Sequence, residues 1–184
     1  MTNGVGVLSG EAGHKNLLLT GPPGCGKSTI IEKIVRRLSL PSTGFFTREM
    51  RGGGRRVGFA ITTLDGRRGI MAHMDIRSPR KVGRYGVDVQ AIDRFAVPAM
   101  STADRNTIIV IDEIGKMECC SASFRQTLIR VLESPNPIVG SIAITGDTFI
   151  TAIKQRFDTR LIPVSVNNRN DLPEEVLRML ATAR

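Results

Sequence analysis

The 184-residue chain is 41% hydrophobic and 23% charged, which is the size and balance of one soluble globular domain with a real core. No apolar run approaches the 18 or so residues of a membrane span, and no basic-then-apolar leader precedes Lys15. Three cysteines without CxxC or Cys/His spacing exclude a disulfide framework and a zinc site. The formal charge of +9 is uneven, with ten basic and three acidic side chains between Arg48 and Arg84.

These features carry expectations about setting and partners. The cysteine usage suits a reducing, cytoplasmic compartment. Glycine-rich residues 1–14 are expected to form a flexible tail, and residues 15–184 one domain, a monomer with no membrane partner. The basic segment raises the question of a nucleic-acid partner. That partner is not favoured, because the chain has no Trp, one Tyr and no aromatics interleaved with the cations. A solvated basic face, or arginines directed at a small phosphate ligand, fits at least as well.

In chain order, KNLLLT (15–20) is a short apolar run of the kind a strand covered on both faces requires. A glycine-rich turn leads to KSTIIEKIVRRL, where Ile30, Ile31, Ile34, Val35 and Leu38 keep helical spacing and Pro41 is expected to end the helix. GFFTREM, RRVGFAITTL and RRGIMAHM read as strands separated by Gly52-Gly53-Gly54 and Asp65-Gly66, an antiparallel meander inserted after the first helix. DVQAIDRFA predicts a helix, and Pro98 the first turn of another. TIIVID predicts a second buried strand that ends in acids. SASFRQTLIRVLES follows, with Phe124, Leu128, Val131 and Leu132 on one helical face. PIVGSIAIT, TFITAIKQRF, RLIPVSV and LPEEVLRML continue as strand, helix, strand, helix. The alternation implies an α/β fold with a mostly parallel sheet and helices on both faces.

Gly21–Ser28, GPPGCGKS, matches G-x-x-x-x-G-K-[ST] between a buried strand and an amphipathic helix, where a phosphate loop belongs. Its glycines allow backbone N–H groups to point inward, and the helix N-terminus adds partial positive charge. Lys27 would reach the β- and γ-phosphates, and Ser28 would ligate Mg²⁺. At the end of TIIVI, Asp112 is expected to hold the same Mg²⁺, and Glu113 to accept a proton from a water attacking the γ-phosphate. Lys116 reads either as a further phosphate contact or as a surface lysine. Thr145 reads either as a γ-phosphate sensor or as the cap of the next helix.

These motifs resemble, in order and over about Lys15 to Leu180, the THEP-type nucleoside-triphosphatases. The stretches that carry the resemblance are the phosphate loop, GFFTREMRGGGRRVGFAITTLDGRRG, KVGRYGVDV, VIDEIGKME and NNRNDLPEEV. The resemblance implies a RecA-like P-loop NTPase fold. It also implies Mg²⁺-dependent hydrolysis of nucleoside triphosphates (ATP, GTP, CTP, UTP) to diphosphate and phosphate, with weak base preference. Its nucleotide-binding stretches map onto Gly21, Pro22, Pro23, Gly24, Cys25, Gly26, Lys27, Ser28 and Thr29, and onto Ile109, Val110, Ile111, Asp112, Glu113, Ile114, Gly115 and Lys116. Lys27 and Glu113 are the expected catalytic residues, and Ser28 and Asp112 the expected metal ligands. The chain departs from the pattern in its extra glycine-rich start, and in Cys119-Cys120, where relatives carry bulky apolar residues.

Arg48, Arg51, Arg55 and Arg84 are candidates to neutralise charge on the transferred phosphoryl group, whereas Tyr85 reads as structural. Cys119 and Cys120 are expected to be small buried hydrophobes, and Cys25 a thiol whose oxidation would block the loop. Two other functions stay open: a small nucleoside or nucleotide kinase, against which the Asp-Glu pair counts, and an RNA-associated ATPase using the basic segment.

Overall fold

The apolar runs assemble around one sheet. The computed structural model describes residues 14–102 and 104–182, so all but His14 of the expected tail lies outside the described residues. Among these, nine strands form a sheet in the order β5-β6-β4-β3-β2-β7-β8-β1-β9. They are β1 (Asn16–Thr20), β2 (Ser42–Gly52), β3 (Arg55–Thr63), β4 (Arg68–His73), β5 (Lys81–Val82), β6 (Tyr85–Val87), β7 (Ile108–Ile114), β8 (Ile138–Ile142) and β9 (Thr159–Pro163). β2, β7, β8, β1 and β9 pair in parallel, and β3 to β6 are antiparallel.

Parallel strands need apolar cover on both faces, and the alternation of β1 shows how it is supplied. Leu18 points into one cluster, with Phe124, Leu128 and Ile153, and Leu17 and Leu19 point into the other, with Ile31, Ile34 and Val176. Helix α4 (Ala122–Glu133) and α5 (Thr148–Lys154) cover the first face, and α1 (Lys27–Val35) and α6 (Leu172–Thr182) the second. In β7, Ile109 and Ile111 join the first cluster, and Ile108 and Val110 the second.

Several expectations are revised. Helix α1 stops at Val35, its end tightened by bonds from Arg37 N to Ile34 O (2.9 Å) and Leu38 N to Val35 O (3.4 Å). The helix is over before Pro41, which instead precedes β2. The expected antiparallel meander follows the first helix and is continuous with the parallel sheet, because β2 pairs with β7 over Ser42–Phe46 and with β3 over Phe45–Gly52. Pro98 stands in the first turn of α3 (Val97–Ala99) as expected, but α3 is continuous with α2 (Val89–Ala91) through a π-helical turn (Ile92–Ala96). The Val97 N–H bonds Ile92 O, a wider spacing that lets the chain continue into Pro98, which has no N–H of its own. β7 does not end at its acids but continues to Ile114, with an irregular register against β8 after Ile111. Cys119 is buried as expected, but Cys120 is half-buried, with its thiol donating to Lys116 O at 3.3 Å.

Candidate functional site

The C-terminal ends of the parallel strands converge on one edge of the sheet, the usual ligand crevice of such folds. The turn after β1 is Gly21–Gly26. Gly24 (φ 77°) and Gly26 (φ 107°) occupy left-handed backbone that a side chain would strain, which explains two of the loop's three glycines. Helix α1 then starts at Lys27, its N-terminus pointing into the turn. The Lys27 ammonium donates to Gly21 O (2.8 Å) and Pro22 O (3.2 Å), so its charge is held over the loop.

Two strands away, β7 delivers the paired acids, joined by a cis peptide bond. Asp112 is 1% exposed. Ser141 Oγ on β8 donates to its Oδ1 at 2.6 Å, and Oδ2 has no partner although it is buried. Burial raises the Asp112 carboxyl above the usual carboxylate range, against the pull of the Ser141 hydrogen bond, the nearby Ser28 hydroxyl and the charges of Arg48 and Lys27. Glu113 is also raised by burial, opposed by Lys27 and reinforced by Asp112.

Two adjoining cavities share Pro23, Lys27, Thr47, Phe59 and Glu113. One, of about 470 Å³, runs over Gly24, Gly26, Ser28 and Thr29 toward Asp112, with Arg48 and Arg56 at its side. The other, of about 310 Å³, lies beyond Glu113 and is walled by Met71, Val82, Met117, Ile144 and Glu118. The structure thus brings together Lys27, Ser28, Thr29, Asp112 and Glu113. Lys116 is exposed and lines the second cavity with Gly115. By contrast Ile109, Val110, Ile111 and Ile114 are core residues that line neither cavity. Their part is to hold the strand. Thr145 lines the second cavity and does not cap α5. That cap is Asp147, which accepts from Ile150 N at 3.1 Å.

Among the arginines, Arg48 borders the first cavity, pairs with Glu32 and stacks 4.6 Å over the Phe46 ring. Arg51 is turned to Glu49, Arg55 is exposed at the end of β3, and Arg84 holds Arg56 O (2.6 Å). Tyr85 is structural, its hydroxyl meeting Arg56 Nε at 3.1 Å. Sequence reasoning missed Arg56, Thr47, Phe59 and Glu118. The alternation of β3 was a usable signal for Arg56, since Arg55 and Arg56 must face opposite sides.

A phosphate loop on one parallel strand, facing acids on another, defines a P-loop nucleotide-binding α/β protein. Residues 16–177 match the NTPase_1 family model, described as NTPase, and the chain belongs to that family. Nucleoside-triphosphatase THEP1 of Thermotoga maritima is 39% identical over 165 residues, covering 89% of this chain and 94% of that protein. The crystal structure of THEP1 from the hyperthermophile Aquifex aeolicus matches with a TM-score of 0.83 at 36% identity, covering 90% of this chain and 98% of that one. The solution structure of a human cancer-related nucleoside triphosphatase matches with a TM-score of 0.77 at 33% identity, covering 92% and 98%.

Proposed function

We propose that the protein is a Mg²⁺-dependent nucleoside-triphosphatase that releases phosphate from ATP, GTP, CTP and UTP with little regard to base. The observation that carries this reading is the pair of buried Asp112 and half-buried Glu113 facing Lys27 across one cavity. We read residues 15–184 as one RecA-like P-loop domain, supported by the second acid and by β8 standing between the loop's strand and the acids' strand. The three free thiols support a reducing, cytoplasmic setting.

Asp112 Oδ2, buried and unpartnered beside Ser28, fits a hard divalent cation. An orphan oxygen of this kind costs about 1–3 kcal/mol if nothing meets it. Among the described residues no cluster of three His, Cys, Asp or Glu could hold a metal alone. This suits Mg²⁺, which takes few protein ligands and completes its shell with phosphates and water. Ser28 and Asp112 would hold it, and when bound it would neutralise charge developing on the phosphates. Lys27 exchanges its two loop carbonyls for phosphate oxygens. Glu113, made more basic by burial, orients a water in line with the γ-phosphorus and takes its proton. Backbone N–H groups of the loop grip what all nucleotides share, which is why base preference is weak.

The test is phosphate release from the four triphosphates, with Mg²⁺ or with EDTA, and no second substrate. Lys27→Ala and Glu113→Gln should each lower kcat by about 100-fold or more. If Glu113→Gln hydrolyses as fast as the parent, the base assignment is wrong. The 310 Å³ cavity, about ten times the share of one liquid water, supports a second reading, transfer to an organic hydroxyl. That reading requires diphosphate to appear only when an acceptor is supplied.

A further inference from the structure

Glu118 sits in the 3₁₀ turn Glu118–Cys120 that follows β7, and it is 3% exposed. A buried acid is expensive and is ordinarily matched by a cation. Glu118 has none. Thr47 Oγ1, reaching from β2, donates to its Oε1 at 2.9 Å. Its Oε2 turns the other way, over Gly115. A Cβ built on Gly115 would lie 2.8 Å from that oxygen and 3.4 Å from Glu113 Oε1. The two carboxyl groups therefore converge over Gly115. Both line the cavity beyond Lys27.

We propose that Glu118 is a positioning residue for hydrolysis: pinned by Thr47, its carboxyl group backs the Glu113 carboxylate across Gly115 and holds it toward the Lys27 side of the cavity. The inference rests on Glu113 being the group that activates water. An apolar residue would fill the same space at lower cost, so packing alone does not account for an acid here.

The charge state follows from the surroundings. Glu113 and Asp112 bear on Glu118 from β7, Cys119 lies beside it in its own turn, and Thr47 supplies a hydroxyl from β2. Burial first, and then the Glu113 charge, push its carboxyl up to about 8. Below that pH Glu118 carries its proton and leaves Glu113 undisturbed. Above it, two adjacent carboxylates repel, Glu113 is displaced, and the rate falls.

The experiment measures kcat and KM for MgATP from pH 6 to 9.5, with melting temperatures, in the full chain and in Glu118→Gln, Glu118→Leu, Thr47→Val and Glu113→Gln. Glu118→Gln keeps the shape and the hydrogen bond without the titration, so it should retain most of the neutral-pH rate and lose the alkaline decline near pH 8. Glu118→Leu should lower kcat about 10- to 100-fold with KM unchanged, the range expected when a reacting group loses its alignment. Thr47→Val should shift kcat in the same direction by less. Wild-type kcat in both Glu118→Leu and Thr47→Val, with Glu113→Gln slow, overturns the inference and leaves the Glu113 assignment standing. Rapid hydrolysis by Glu113→Gln overturns that assignment and the inference with it. An activity loss that only tracks the folded fraction, with the alkaline decline retained in Glu118→Gln, also overturns the inference.

Discussion

The two halves of the sheet are built from the same strand geometry for opposite ends. The parallel half is covered on both faces, so Ile108 to Ile111 and Ile138 to Ile142 are entirely buried. That packing fixes the ends of β1 and β7, from which the loop and the acids project. The antiparallel half carries most of the chain's excess positive charge, and Arg51, Arg55, Arg67 and Arg68 are all exposed. One strand belongs to both. β2 runs beside β7 as far as Phe46, opposite Asp112, and then leaves it to carry Thr47 and Arg48 past the site. Placement of the loop and the acids thus comes from the apolar half, and charge near them from the polar half.

The largest effect should come from breaking the apolar half far from any phosphate. Phe124 on α4 is fully buried and meets Phe45 of β2 edge-on, with ring centroids 6.1 Å apart. Phe124→Ala should cost about 3–5 kcal/mol in urea unfolding, combining lost transfer energy with a cavity. Truncating Ile70 of β4, 47% exposed, should change the same midpoint by no more than about 0.5 kcal/mol. A similar cost at both positions would mean that the exposed face of β4 matters to stability as much as Met71 and Ala72 on its buried face.

The same division separates what was legible in the sequence from what was not. Lys27 and Asp112 could be found because loop and strand each carry a contiguous signal: glycines at fixed spacing, and an apolar run ending in acids. The elements of the parallel half could be placed for the same reason. The partnership of Glu118 with Thr47 joins residues 71 positions apart, and it depends on the turn after β7 folding back under β2. No local pattern encodes that. Nor does local pattern say that Arg48 stands at the site, since that follows from the register of β2 on β3 and β7. Thr145 was ambiguous because the helix cap lay two residues on, at Asp147.

Arg48 offers the sharper test of the polar half. Its charge lowers the proton affinity of Asp112 across the cavity, and its guanidinium is held between Glu32 and the Phe46 ring. With 38% of its side chain exposed, it is partly screened. Arg48→Ala should lower kcat/KM for MgATP by about tenfold, which is ~1.4 kcal/mol of transition-state stabilisation. An unchanged value would put the protein's share of the charge stabilisation in the loop and Lys27.

Arg51, three residues along the same strand, should do almost nothing, and the reason is specific. It is 66% exposed and pairs with Glu49 at 3.0 Å. Glu49 is held below the usual carboxylate range chiefly by Arg56, which bonds its other oxygen at 2.8 Å. Removing Arg51 therefore leaves no stranded charge. Arg51→Ala should move the unfolding midpoint by less than about 0.5 kcal/mol, as exposed pairs ordinarily do, and leave phosphate release unchanged. If Arg51→Ala slowed hydrolysis as much as Arg48→Ala, the meander would be acting through its summed field rather than through one placed guanidinium. The sharp boundary at Phe46, where β2 leaves β7, would then carry no functional meaning.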